Sequence, residues 1–186
     1  MSALSSHSLT WLAVTICVSA FIQGMSGLGF SLVAAPVVSQ VVPGSQGIGL
    51  INLLALFQNM WQIWRETGII HWAILRRLSV GIIGGFILGF VAIVFLPNNV
   101  RPLVVAVSSL CSLLALLWWR PKDTTRNAVL SGAWGASVNT YAGVGGPPVA
   151  SFLVRQNWDH GDYVRTQQIV FAVLNVVSIP LLGLPN

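Results

Sequence analysis

The sequence predicts an all-α protein, a polytopic transmembrane helical bundle with two Gly-interrupted, broken helices that belong to an internal repeat. Three observations carry this. The chain of 186 residues is 55% hydrophobic and only 7% charged, with a mean hydropathy of +0.79, whereas soluble domains carry roughly 25% charged residues to cover their surface. Its apolar stretches are about as long as a helix that spans some 30 Å of hydrocarbon. Two of those stretches are interrupted by Gly-rich boxes that superpose when the chain is slid along itself by 116 residues.

The first stretch, 9–42, is too long for one comfortable span and is broken by Gly24, Gly27 and Gly29. Spans two to four are expected at 46–64, 78–96 and 103–119. A fifth stretch, 128–154, is broken between Ala142 and Pro148, and a sixth covers 166–184. Six spans follow if each broken stretch crosses once. The N-terminal apolar segment lacks the basic start of a signal peptide and is expected to stay in the mature protein as one arm of the repeat. Span three carries Gly81, Gly85 and Gly89 at four-residue spacing, a stripe that lets a neighbouring helix approach closely and is read as scaffold.

Basic residues orient the bundle. Arg65, Arg76 and Arg77 join spans two and three, Arg120, Lys122 and Arg126 join spans four and five, and the linker between spans three and four carries only Arg101. The positive-inside rule places the two basic loops in the cytoplasm. Trp61, Trp64, Trp72, Trp118, Trp119 and Trp158 lie near the expected ends, where indole rings favour the headgroup layer. The formal charge of +5 is dispersed rather than gathered on one face, so nucleic acid is not an expected partner. Cys17 and Cys111 sit in apolar segments with no metal-ligand spacing, and neither a metal nor another cofactor is expected.

The 116-residue offset places Gly27 and Gly29 on Gly143 and Gly145, Ala34 on Ala150, Gln40 on Gln156, Asn59 on Asn175 and Asn52 on Gln168. One integral membrane domain over 1–186 is therefore expected, with a first half at about 9–119 and a partial second half at about 128–186. Paired, Gly-interrupted apolar segments in repeated halves point to a transporter's binding site. Where a helix breaks inside the membrane, the first N–H groups of the following half-helix lack intrahelical acceptors and, with the positive end of its dipole, form an anion site. Pro36, Pro147 and Pro148 reinforce the breaks. The expected substrate-binding residues are Ser26, Gly27, Gly29 and Phe30 in the first box, Gly143, Gly145 and Gly146 in the second, and the repeated pair Asn59 and Asn175. No Asp, Glu, Lys or Arg lies in the middle of an expected span, so a buried carboxylate proton relay is not expected.

At GMSGLGFSLVAAP (Gly24, Gly27, Gly29, Pro36) and AGVGGPP (Gly143, Gly145, Gly146, Pro147) the sequence resembles the TauE/SafE family of sulfite exporters. The resemblance implies an inner-membrane, multi-pass transporter of small sulfur-containing anions such as sulfite or organosulfonates, whose partners are that anion and the lipid bilayer. Phe30 and Ser31 stand where a glycine run is often found in the first box. Family members usually have about eight spans, and counterparts of spans three and four would fall after Asn186, so the resemblance leaves three readings: a natural short form, a homodimer that completes the missing spans, or a truncated reading frame.

Two other classes share features of the sequence. Gly24-Met25-Ser26-Gly27 matches the GxSG of rhomboid-type intramembrane proteases, but a serine nucleophile needs a base at membrane depth, and His7, His71 and His160 are terminal or in loops. A non-transporting scaffold would use the glycines for packing alone. Charge does not decide between parallel and inverted halves, because Arg155 and Arg165 are balanced by Asp159 and Asp162. The few apolar residues between Pro148 and Arg155 favour single crossings, hence parallel halves with the 155–165 loop outside.

Overall fold

The computed structural model describes residues 6–42, 45–97 and 99–182. Its helices are α1 (Ser6–Ser26), α2 (Phe30–Val41), α3 (Ser45–Arg65), α4 (Trp72–Phe95), α5 (Arg101–Trp118), α6 (Thr125–Ala142), α7 (Gly146–Leu153) and α8 (His160–Leu182), with a 3-10 turn at Val154–Gln156 between the last two. No strand occurs among the described residues, and the expected all-α bundle is what forms.

The bundle is apolar outside and buries uncharged polar side chains among its apolar core. Phe21, Phe57, Ile83, Leu88, Phe95 and Leu110 are exposed, while Gln23, Asn52, Asn59, Asn139, Gln167, Gln168 and Asn175 are buried. That inversion of a soluble protein's surface identifies a protein solvated by lipid. Among the described residues, three helical segments are long and apolar enough to cross a membrane, Leu9–Ser26, Trp72–Phe95 and His160–Leu181. α3 and α6 do not reach that hydropathy, because Asn52, Gln58, Asn59 and Gln62 on one and Ser131, Ser137, Asn139 and Thr140 on the other turn polar groups inward.

Both broken stretches depart from the single-crossing expectation. α6 ends where Gly143 takes a left-handed conformation, φ 70°, and α7 then folds back on it. Gly135 abuts Val149 and Gly145, and Gly145 abuts Asn139, the pattern of an antiparallel hairpin. α2 likewise turns back on α1 after Gly27 and Gly29, at φ 72° and 120°. Phe30, Ala34, Ala35 and Val38 then pack with Leu12, Ile16 and Ala20. The shortness of the α7 arm is no obstacle: its 8 residues need span only the roughly 12 Å from one end to a mid-membrane break.

The direction of the helices also corrects the parallel arrangement. Gln23 bridges Asn59 and Gln168, and Asn139 bridges Asn52 and Asn175. The late part of α3 thus lies beside the early part of α8, and the reverse. α3 and α8, which correspond at the 116-residue offset, run antiparallel. An Arg77–Asp123 contact of 3.4 Å and a His71–Asp162 contact of 3.2 Å gather the segments after α3, α5 and α7 at one end. The 155–165 loop therefore shares the end that carries Arg65, Arg76, Arg77, Arg120, Lys122 and Arg126 rather than the opposite one.

The glycine stripe of α4 packs on α6 as expected. Gly81 abuts the backbone of Val129, Gly85 that of Ala133, and Gly89 meets Ser137 and Thr140, so the two helices run parallel in close contact. A side chain at Gly85 would strike the Ala133 carbonyl directly, and backbone cannot yield as a flexible side chain does. Gly85→Leu is expected to cost at least ~3 kcal/mol and to abolish monodisperse protein in detergent. Gly84→Leu, which meets nothing within 4 Å, should purify normally.

Candidate anion site between two half-helices

The first residues of α2 and the first residues of α7 face one cavity of about 20 Å³. Gly29, Phe30, Ser31 and Leu32 line one side, and Val144, Gly146 and Pro147 the other. Gln23, Asn59, Asn139 and Asn175 supply its amides, and Leu28, Ala55 and Phe171 close it with apolar surface. Both half-helices thus present their N-terminal, positive dipole ends to the same space.

The half-helix starts are not equal. Val33 N–H donates to the Gly29 carbonyl at 3.2 Å and Phe30 N–H to Gln23 Oε1 at 3.2 Å. Ser31 and Leu32 fall between them, at positions where an N–H lacks an intrahelical acceptor. In α7 the matching positions are Pro147 and Pro148, which have no N–H to offer. The donor-rich pole is therefore α2, and α7 contributes chiefly its dipole and Gly146.

Two amides hold the breaks in place by the same arrangement. Gln23 Nε2 donates to Asn59 Oδ1 at 2.9 Å and to Gln168 Oε1 at 3.4 Å, while its own Oε1 accepts from Phe30. Asn139 Nδ2 donates to Asn175 Oδ1 at 3.3 Å, to Asn52 Oδ1 at 3.4 Å and to Ser178 Oγ at 3.1 Å. Its Oδ1 accepts from Gly145 N–H at 3.3 Å. Each amide thus reaches across to the opposite half and back to the start of its own half-helix.

One donor of the cavity is left over. Asn59 is 1% exposed, its Oδ1 is occupied by Gln23, and its Nδ2 has no hydrogen-bond partner among the described residues. Leaving such a donor unmade costs about 1–3 kcal/mol, a cost that an acceptor in the cavity removes.

Of the residues the sequence singles out, Gly29, Phe30, Asn59, Gly146 and Asn175 line the cavity. Gly27, Gly143 and Gly145 stand behind it. Gly27 and Gly143 supply the left-handed turns, and the Gly27 carbonyl accepts from Gln167 at 3.0 Å and Gln168 at 2.6 Å. Ser26 is a turn residue: its Oγ lies 2.8 Å from the Ile22 carbonyl and 2.5 Å from the Leu28 carbonyl, which share its one O–H. It faces a separate vestibule of about 270 Å³ with Leu153, Trp158, His160 and Tyr163, and no hydrogen bond joins it to His160. Gln23 and Asn139 also line the cavity; from sequence such amides at membrane depth read first as inter-helix glue, although the offset carries one onto the other. A larger groove, about 580 Å³, runs between α1, α2 and α5 and is lined mainly by aliphatic side chains such as Leu110, Leu113 and Leu116. It lacks the converging donors of the smaller cavity.

The end bearing the basic loops is fastened by side chains from both halves. Ile69 N–H donates to Asp162 Oδ1 at 2.7 Å, and His71 lies against Asp162 and stacks on Trp158 with ring centroids 3.8 Å apart. Arg165 donates to the Gly68 carbonyl at 2.8 Å, and Gly68 abuts the backbone of Gly161.

A family model described as sulfite exporter TauE/SafE matches residues 11–184. No curated protein and no solved structure matches the chain.

Proposed function

Because the chain belongs to the sulfite exporter TauE/SafE family, whose members are membrane transporters and not enzymes, we propose that it carries a small sulfur-containing anion through the cavity between α2 and α7. The observation that carries this reading is the convergence of two half-helix N-termini on a cavity where Asn59 presents an unpaired buried donor. Ser31 and Leu32 N–H groups and Asn59 Nδ2 bind the anion; Gln23 and Asn139 hold the geometry. Gly27, Gly143 and Gly145 act by making the breaks rather than by contact.

At about 20 Å³ the cavity holds one water-sized group, so it must widen to admit an oxyanion. The halves at about 9–119 and 128–186 are read as inverted repeats that rock against each other, with the amide network as the pivot. The positive-inside rule puts the basic end in the cytoplasm of a multi-pass inner-membrane protein. The Asp162–His71–Arg165 fastening then closes the cytoplasmic side. Both sides of the cavity come from one chain, so the site as described needs no second copy, although a homodimer is compatible with it.

The test is sulfite uptake by proteoliposomes holding the purified chain. Saturable uptake above that of empty vesicles is expected. Fully inserted protein that gives none would overturn the transport reading.

A further inference from the structure

The site's electrostatics limit the charge its ligand can carry, and this inference rests on the anion-transport reading above. Among the described residues, no Asp, Glu, Lys, Arg or His lines the cavity. The titratable groups on the described residues of the elements that build it are Cys17 on α1, Arg65 on α3, Arg126 and Tyr141 on α6, and His160, Asp162, Tyr163 and Arg165 on α8. None of them is a lining residue. Among the described residues, the positive potential aimed at the cavity is that of the α2 and α7 N-termini, each equivalent to roughly half an elementary charge, and α7 gives less because Pro147 and Pro148 lack the N–H groups that carry it. The Asn59 amide adds a donor but no net charge.

These contributions sum to about one positive charge at most. A monoanion is matched by it. A dianion leaves about one negative charge unpaired in a buried, low-dielectric space, with no described lining side chain able to compensate. We propose that the cavity selects monoanions, so that an oxyanion with a second ionisation near neutral pH is carried only in its protonated form. Sulfite is then transported as hydrogensulfite, and each turnover moves one acid proton bound to the substrate. No protein proton relay is needed, which accounts for a site built without a carboxylate. Selection against dianions is expected to be at least ~100-fold, the order set by leaving one buried charge without its partner.

The experiment measures initial uptake of radiolabelled sulfite, methanesulfonate and sulfate by proteoliposomes containing the full chain, at pH values on both sides of sulfite's second ionisation. Empty liposomes are subtracted to remove permeation of dissolved sulfur dioxide. Methanesulfonate, a monoanion at every pH used, reports any titration of the protein itself. The expected result is a sulfite rate, divided by the methanesulfonate rate, that falls about tenfold per pH unit above the second ionisation, with sulfate at least ~100-fold slower than methanesulfonate. A ratio that stays flat or rises with pH, or sulfate carried as fast as methanesulfonate, overturns the monoanion rule and leaves anion transport standing. Uptake of none of the three overturns both.

Discussion

Asn59→Asp is expected to lower anion flux by about 10³-fold while the protein still folds. The substitution keeps the shape of the side chain and the oxygen that accepts from Gln23 at 2.9 Å. It removes only the Nδ2 donor, which has no protein partner. What it adds is a carboxylate in the cavity, and two like charges about 4 Å apart at an effective dielectric of 20 repel by roughly 4 kcal/mol. Burial and the anion both favour the neutral acid, so flux should recover in part as the pH is lowered. Uptake measured across pH checks this, with elution of the variant as a monodisperse species as the folding control. A variant that transports like the parent at neutral pH would show that Asn59 does not face the anion.

Ser31→Pro is expected to reduce flux by roughly 10- to 100-fold, the worth of one hydrogen bond to a charged group. Proline is tolerated in a helix's first turn, and α7 carries Pro147 at the matching position. The substitution therefore deletes a backbone donor without deleting the half-helix. Ser31→Ala keeps the N–H and should retain most of the flux. Equal losses in the two variants would move the effect from the backbone to the hydroxyl and weaken the case for the α2 pole.

The positions of the helix breaks are legible in the sequence because left-handed backbone at Gly27 and Gly143 leaves little choice of residue. The α4 stripe is legible for a related reason: only glycine lets α4 and α6 approach so closely. Which residues of each box face the ligand is not legible, since the residue that makes a turn and the residue that lines the space beyond it differ by one or two positions. Gly27 and Gly143 turn the chain, while Phe30 and Gly146 meet the cavity.

Helix direction is harder still. Whether a broken stretch continues or turns back depends on what it packs against, and Arg155 and Arg165 opposite Asp159 and Asp162 carry no net signal. The amide pairs hold that information: Asn59 beside Gln168 and Asn52 beside Asn175, each through Gln23 or Asn139, fix α3 and α8 as antiparallel. Gln23 and Asn139 are easily missed because the offset pairs unlike amides, and because a buried amide in a membrane helix serves equally well as inter-helix glue.

The central claim is that an anion binds between the α2 and α7 N-termini with Asn59 and Asn175 beside it, and thermal unfolding of the purified chain in the presence of sulfite tests it most directly. A ligand at 100 times its Kd stabilises the native state by about 2.7 kcal/mol, a rise of several degrees in Tm for a chain of this size. A saturable rise is expected for the parent and none for Asn59→Leu/Asn175→Leu, provided the variant melts cooperatively without sulfite. A double variant stabilised by sulfite as strongly as the parent would contradict it.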